Sequence, residues 1–283
     1  MIRIGLRAHD YGTLPPEQLA DTIAAFHPES IQLALAKALV PAPTPGSLSP
    51  GYARRIGKIF EQRNISISVL GCYINPIHPD PDEREKSLRY FEEHLRFARD
   101  FDCALVGTET GSLNADCSFH PDTEKDETFD MFCVSVERLL SCAEKCGSIV
   151  AIEPVSYHHT ISSVEKMEKL LRRFPTPALQ VIWDPVNLLP VAGLDESQES
   201  FFVKALDAWG DKIAAVHAKD FRMEGGRKKG DLPAGNGDLD WPVLLKLLQQ
   251  RKNGVDILLE NTQPATARST IAFLKEISEK IRV

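Results

Sequence analysis

Residues 126–154 read DETFDMFCVSVERLLSCAEKCGSIVAIEP, and this one stretch contains the repeating unit of the chain. In its first part Phe129, Phe132, Cys133, Val136, Leu139, Leu140 and Ala143 recur at helical spacing and form a single apolar stripe. Such a stripe is core. Gly147 supplies the stop, because glycine readily takes the left-handed conformation that closes a helix. The run that follows, SIVAIEP (148–154), is short and rich in β-branched residues, and it ends on a carboxylate, Glu153.

Working outward, the same rhythm of strand and helix extends from the second residue nearly to the last. The predicted strands are IRIGLR (2–7), SIQLAL (30–35), ISISVLG (65–71), ALVGTET (104–110), SIVAIEP (148–154), LQVIWD (179–184), IAAVHAK (213–219) and DILLEN (256–261). Between them lie helical segments such as PDEREKSLRYFEEHLRFARDF (81–101), which opens on a proline and acids as a helix N-terminus does. Near-continuous apolar strands joined by helices imply a parallel sheet covered on its outer face, and eight units predict closure. The expected architecture is therefore α/β, a single (β/α)8 TIM barrel domain spanning residues 1–283. A doubly wound open sheet is the alternative. It is weakened because GLRAHDYG (5–12) stands after strand one where a Gly-rich nucleotide fingerprint would be required.

The totals agree with a globular α/β chain. Its 283 residues are 43% hydrophobic and 26% charged, a composition that excludes disordered, fibrous and membrane classes. A net charge of −7 disfavours a broad grip on nucleic acid or on an anionic membrane. No run approaches the roughly 18 apolar residues of a spanning helix, and MIRIGLRAHDYG (1–12) carries charges where a signal peptide needs an apolar core, so the expected location is cytoplasmic. Six cysteines show no zinc-ribbon spacing. Cys142 and Cys146 stand four apart on a helix, as a metal pair could, but buried free cysteines are the commoner reading.

In a barrel of this kind, chemistry collects at the C-terminal ends of the strands. Strand five closes on Glu153, strand six on Asp184, strand seven on His217 and strand eight on Glu260, each after a mostly apolar run. A single carboxylate could simply answer a lysine. Three converging on one rim repel one another unless a cation sits among them, and imidazole is a common metal ligand. The expected metal ligands are therefore Glu153, Asp184, His217 and Glu260, around one divalent ion. Three carboxylates and one nitrogen suit Mn²⁺, Mg²⁺, Co²⁺ or Fe²⁺, with Zn²⁺ as a further alternative, and the set does not choose among them; the expected ion is Mn²⁺.

The segments AIEPV (151–155), WDPVNLL (183–189), VHAKDF (216–221) and LLEN (258–261), taken in this order, resemble the xylose isomerase-like barrels. The resemblance is to their sugar phosphate isomerase and epimerase group, which includes the tagatose 3-epimerases. It implies the same four ligands and makes Glu153 and Glu260 the catalytic acid/base pair. The family places a histidine three residues after the strand-six aspartate, and here Asn187 stands instead. The implied activity is isomerase or epimerase chemistry on a sugar or sugar phosphate, with a metal-bound enediolate between two carboxylate proton transfers.

Four further residues are expected to bind substrate: Asn187, Glu109, His159 and Lys219. Their alternatives are a helix cap for Asn187, an ion pair with Arg7 for Glu109, a solvated loop for His159, and an ion pair with Glu260 or Asp184 for Lys219. His158, His78 and His9 are weaker candidates in mouth loops. The stretch RMEGGRKKGDLPAGNGDLDW (222–241) reads as a long loop whose Arg222, Arg227, Lys228 and Lys229 could meet a phosphate. Rival readings are a dehydratase on the same scaffold, an apurinic endonuclease, and a sugar-binding barrel without turnover. The endonuclease needs early-strand histidines that LAL and VLG (33–35 and 69–71) do not supply. Exposed helices leave a homodimer open.

Overall fold

The structure, a computed structural model, describes residues 2–281. Its eight parallel strands are β1 (Arg3–Arg7), β2 (Ser30–Leu33), β3 (Ser66–Gly71), β4 (Leu105–Glu109), β5 (Ile149–Glu153), β6 (Leu179–Trp183), β7 (Ile213–Glu224) and β9 (Asp256–Leu259). Each pairs with the next, and β9 pairs with both β7 and β1, so the sheet closes. This is a (β/α)8 barrel, as the strand–helix rhythm predicts. An outer ring of helices follows the strands: α1 (Pro16–Ala24), α3 (Pro50–Glu61), α4 (Pro81–Phe97), α5 (Asp126–Cys146), α6 (Val164–Arg173), α8 (Gln198–Trp209), α9 (Trp241–Arg251) and α10 (Pro264–Lys280). Two single-turn helices, α2 (Leu35–Ala38) and α7 (Pro185–Leu188), sit directly beyond β2 and β6. Among the described residues no helix is long and apolar enough to cross a membrane.

Residue chemistry explains the boundaries. The apolar stripe of α5 is buried along its whole length, and Gly147 ends it at a φ of 65°. Asp80 caps α4 by accepting from the backbone N–H groups of Asp82 and Glu83. The helix expected over 81–101 stops at Phe97, because residues 98–101 tighten into a 3₁₀ turn leading to the left-handed Asp102. Strand two is shorter than expected, since Leu35 already belongs to α2.

The interior of the barrel is narrow and packed with apolar side chains. Val69, Ala151, Ile182, Ala215 and Leu258 form a separate buried cluster inside the strands. A Cβ on Gly107 would lie 2.5 Å from Ile182 Cδ1, and one on Gly5 2.7 Å from Leu258 Cδ2. Side chains alternate along a strand, so residues two positions further on share the same inward face. That parity carries Ala151 to Glu153, Ile182 to Asp184, Ala215 to His217 and Lys219, Leu258 to Glu260, Gly5 to Arg7, and Gly107 to Glu109. The packed layer is the floor on which the polar end of the barrel stands.

The largest departure from expectation is residues 222–241. Strand β7 continues to Glu224, turns at Gly225 and Gly226, and returns as the antiparallel β8 (Arg227–Pro233). Both glycines have positive φ, the requirement of a tight hairpin turn. The segment is a hairpin rising from the rim rather than an open loop.

Candidate active site

At the C-terminal end of the barrel Glu153, Asp184, His217 and Glu260 converge, all buried. His217 Nδ1 lies 3.2 Å from Glu153 Oε2 and 3.4 Å from Glu260 Oε1. Ligand atoms of Glu153, Asp184 and His217 all fall within 4.8 Å of one another. Glu260 stands at the edge of that trio, drawn towards Arg7 Nη1 (2.8 Å) and Lys219 Nζ (3.0 Å).

His217 is oriented by Gln32, whose Oε1 accepts from Nε2, while the Gln32 amide donates to the Tyr73 hydroxyl. With the proton on Nε2, the Nδ1 lone pair faces the carboxylates, an arrangement that needs a proton or a cation between them. Burial lowers the affinity of His217 for a proton, but Glu153 and Glu260 override it and push its pKa up to about 9. For Asp184, burial dominates and pushes the carboxyl up, against the pull of Lys219. Burial opposes ionisation of Glu260 as well, yet Lys219, His217 and Arg7 hold its carboxyl well below the usual range.

The donor set fits a divalent metal ion. Four carboxylates, Asp10, Glu153, Asp184 and Glu260, face two fixed cations, Arg7 and Lys219. With His217 neutral, two negative charges are left over, and the upward shift of the His217 pKa answers that excess. In addition, Asp184 Oδ2 and His217 Nδ1 are buried without a hydrogen bond, although Lys219 Nζ lies 3.0 Å from the former. Buried charge that is unbalanced and polar atoms that are orphaned are costly, and a divalent cation relieves both. Oxygen and nitrogen donors of this kind hold Mn²⁺, Mg²⁺, Co²⁺, Fe²⁺ or Zn²⁺.

Asp184 has a second task. Its Oδ1 accepts from the backbone N–H of Asn187 at 2.9 Å, making Asp184 the cap of α7. The cap expected at Asn187 therefore belongs to Asp184. The Asn187 amide instead reaches across to Glu153 Oε1 at 2.6 Å. Lys219 shows the ion pairs that were its alternative role, bridging Asp184 and Glu260, and does so inside the cluster.

Glu109 and His159 make a second pair on the rim, 3.5 Å apart. The N–H of Gly111 donates to His159 Nδ1 at 3.2 Å, so the ring proton sits on Nε2, facing Glu109. Burial lowers the His159 pKa to about 4, which keeps the ring neutral. Burial, then Glu153 and Glu260, push Glu109 up to about 7. The alternative pairing of Glu109 with Arg7 is not formed: Arg7 binds Asp10, Glu260 and Asn261.

His158 and His78 lie apart from the cluster, whereas His9 is close enough to feel Arg7, Glu260 and His217. His158 is exposed in its loop, with its ring edge-on to Tyr157. His78 Nδ1 accepts from Asp80 N–H at the entrance to α4. His9 packs edge-on to Tyr73 at 6.3 Å, and burial lowers its pKa to about 3. The basic residues of the hairpin do not gather as a phosphate site. Arg222 donates to the Asn236 carbonyl, Lys229 pairs with Glu224, Lys228 turns to backbone carbonyls, and Arg227 is exposed beside the turn. Cys142 and Cys146 are half-buried on α5 and belong to no metal-capable group among the described residues.

Sequence reasoning passed over Gln32, Tyr73 and Asp10. Gln32 had a readable signal, a polar amide flanked by Ile31 and Leu33 in SIQLAL (30–35), and it is buried. Asp220 follows Lys219 in VHAKDF (216–221). Its carboxylate accepts from the N–H groups of Phe221, Gly235 and Leu239 and from the Trp241 indole, and so holds the segment after the hairpin.

A family model described as xylose isomerase-like TIM barrel matches residues 23–277. No curated protein sequence matches the chain. Among solved structures, a D-tagatose 3-epimerase-like protein superposes with a TM-score of 0.77 at 16% identity, covering 99% of this chain and 98% of that one. The 3-keto-D-glucoside 4-epimerase YcjR of E. coli gives 0.73 at 16% identity, covering 98% and 100%. The IOLI protein, solved with a bound zinc atom, gives 0.70 at 14%, covering 99% and 97%. At such identities the likeness is one of fold.

Proposed function

The chain belongs to the xylose isomerase-like TIM barrel family, and from that premise we propose that it is a divalent-metal-dependent isomerase or epimerase acting on a sugar or sugar phosphate. One observation carries the reading: Glu153, Asp184, His217 and Glu260 converge at the ends of four strands, their carboxylates in excess of the fixed cations Arg7 and Lys219. Those four residues would hold the ion, manganese foremost. When bound, a divalent cation supplies a Lewis acid that polarises a substrate carbonyl and eases loss of the neighbouring proton.

The remaining steps fall to the chain itself. Glu153 and Glu260 sit on strands separated by β6 and β7, so a sugar between them would present a different face to each. One carboxylate removes the proton and the other returns it, to the same carbon for an epimerase or to the next for an isomerase. Asn187 fixes Glu153 through Oε1, while Oε2 faces His217 Nδ1. Lys219 stabilises negative charge developing on substrate oxygen, and the Glu109–His159 pair receives hydroxyls at the rim.

The first test is metal content in protein purified without chelator, comparing wild type with Asp184→Ala. About one equivalent of metal, lost in the variant, is expected. Ketoses are then screened in deuterated water, where Glu153→Gln should cut hydrogen exchange at carbon by at least about 10²-fold while leaving the fold intact. Wild-type protein that carries no metal and takes up neither Mn²⁺, Co²⁺ nor Mg²⁺ would remove the reading, as would full exchange activity in Glu153→Gln.

A further inference from the structure

Lys228 is a half-buried cation whose position the chemistry above does not explain. It lies on β8, and its ammonium donates to the carbonyls of Val186 and Leu189, with that of Asn187 at 3.5 Å. Its backbone N–H also donates to the Val191 carbonyl at 2.7 Å. Burial lowers its pKa to about 8. An ammonium has three N–H donors, and all three face carbonyls of one short segment, so none is free for a substrate anion.

That segment is α7, a helix of four residues. One turn of helix has no stability of its own, because nucleation costs more than a single turn returns. Its shape must be imposed from its two ends. At the N-terminus Asp184 Oδ1 holds the Asn187 N–H, and at the C-terminus Lys228 takes carbonyls that a helix end leaves without partners. Ser156, from the loop after β5, adds bonds to the Asn187 and Leu189 carbonyls. The hairpin fits closely here: a Cβ on Gly230 would stand 3.0 Å from Val186 Cγ1.

We infer that Lys228 is a positioning residue: from the hairpin it clamps the single helical turn that presents Asp184 and Asn187 to Glu153. The inference rests on the reading of those three as site residues. It makes the β7–β8 hairpin part of the site's framework, and it ties the orientation of the Asp184 carboxylate and the Asn187–Glu153 hydrogen bond to a residue that reaches only the backbone of that turn.

The experiment compares wild type, Lys228→Met and Lys228→Arg by Co²⁺ titration, reading the visible spectrum, and by amide hydrogen exchange over 185–191. In Lys228→Met the Co²⁺ affinity should fall about 10–100-fold, the usual effect of removing support from a ligand, with an altered band shape. Exchange should quicken in 185–191 and stay at the wild-type rate in the strands of the barrel. Lys228→Arg, which keeps the charge and the donors, should recover part of the affinity. Unchanged affinity and exchange in Lys228→Met overturn the inference, and so does faster exchange spread evenly over the barrel. If wild type binds no Co²⁺, the metal reading fails, and exchange alone then decides: quickening confined to 185–191 upholds the clamp, and none removes it.

Discussion

His159 shows how much one buried ring can impose. Gly111 fixes its tautomer, the fold keeps it neutral, and its Nε2–H is thereby directed at Glu109. Its pKa is about 4 in the folded protein, below the ordinary value of about 6.5 that the unfolded chain regains. As pH falls from neutrality the unfolded chain takes up the proton first. The stability tied to this ring is thus complete above about pH 6.5 and is lost between there and about pH 4. The difference between pH 7 and pH 5 is about 2 kcal/mol. His159→Asn can still accept from Gly111 but does not titrate, so its stability should fall less over that interval in urea unfolding. An equal fall in both proteins would mean that the ring titrates as freely in the fold as out of it. At the same scale Asp184 shows why its strand ends as it does: one oxygen caps α7 and the other joins the cluster.

At the scale of elements, the segments beyond the strands do the positioning. The hairpin grips α7 through Lys228, and Asp220 organises the turn that follows by accepting four N–H groups. Asp220→Ala would leave these donors without partners in a buried place. Donors orphaned next to a lost charge predict a destabilisation of about 3 kcal/mol or more, with residues 234–241 opening first. Denaturant midpoints and local exchange would check this, and an unchanged midpoint would mean water replaces the carboxylate at no cost. Gly237 tightens the same packing, since a Cβ there would stand 2.4 Å from Asp220 Oδ1.

For the whole molecule, the inner layer of the barrel fills the space between the strands and leaves no room for larger side chains. Gly107 is small because Ile182 and Val69 occupy the space its side chain would need. Gly107→Ala should overpack this layer by about 1–3 kcal/mol and lower the thermal midpoint by several degrees. An unaltered midpoint would show that the layer yields without strain. The sequence by itself determined the barrel, since eight apolar runs separated by helical stripes leave few other ways to bury both faces of the strands. It also determined the convergence of Glu153, Asp184, His217 and Glu260, because parity along a strand and a common sheet end place them together once the sheet closes. What only the tertiary structure decided is which partner each group takes. Arg7 joined Asp10 and Glu260 rather than Glu109, Asn187 bonded Glu153 rather than capping, and Lys228 turned from solvent to the carbonyls of α7. Apart from the local Arg7–Asp10 pair, those choices depend on distances of about 3 Å between residues far apart in the chain, and no local pattern of polarity encodes a distance across the barrel.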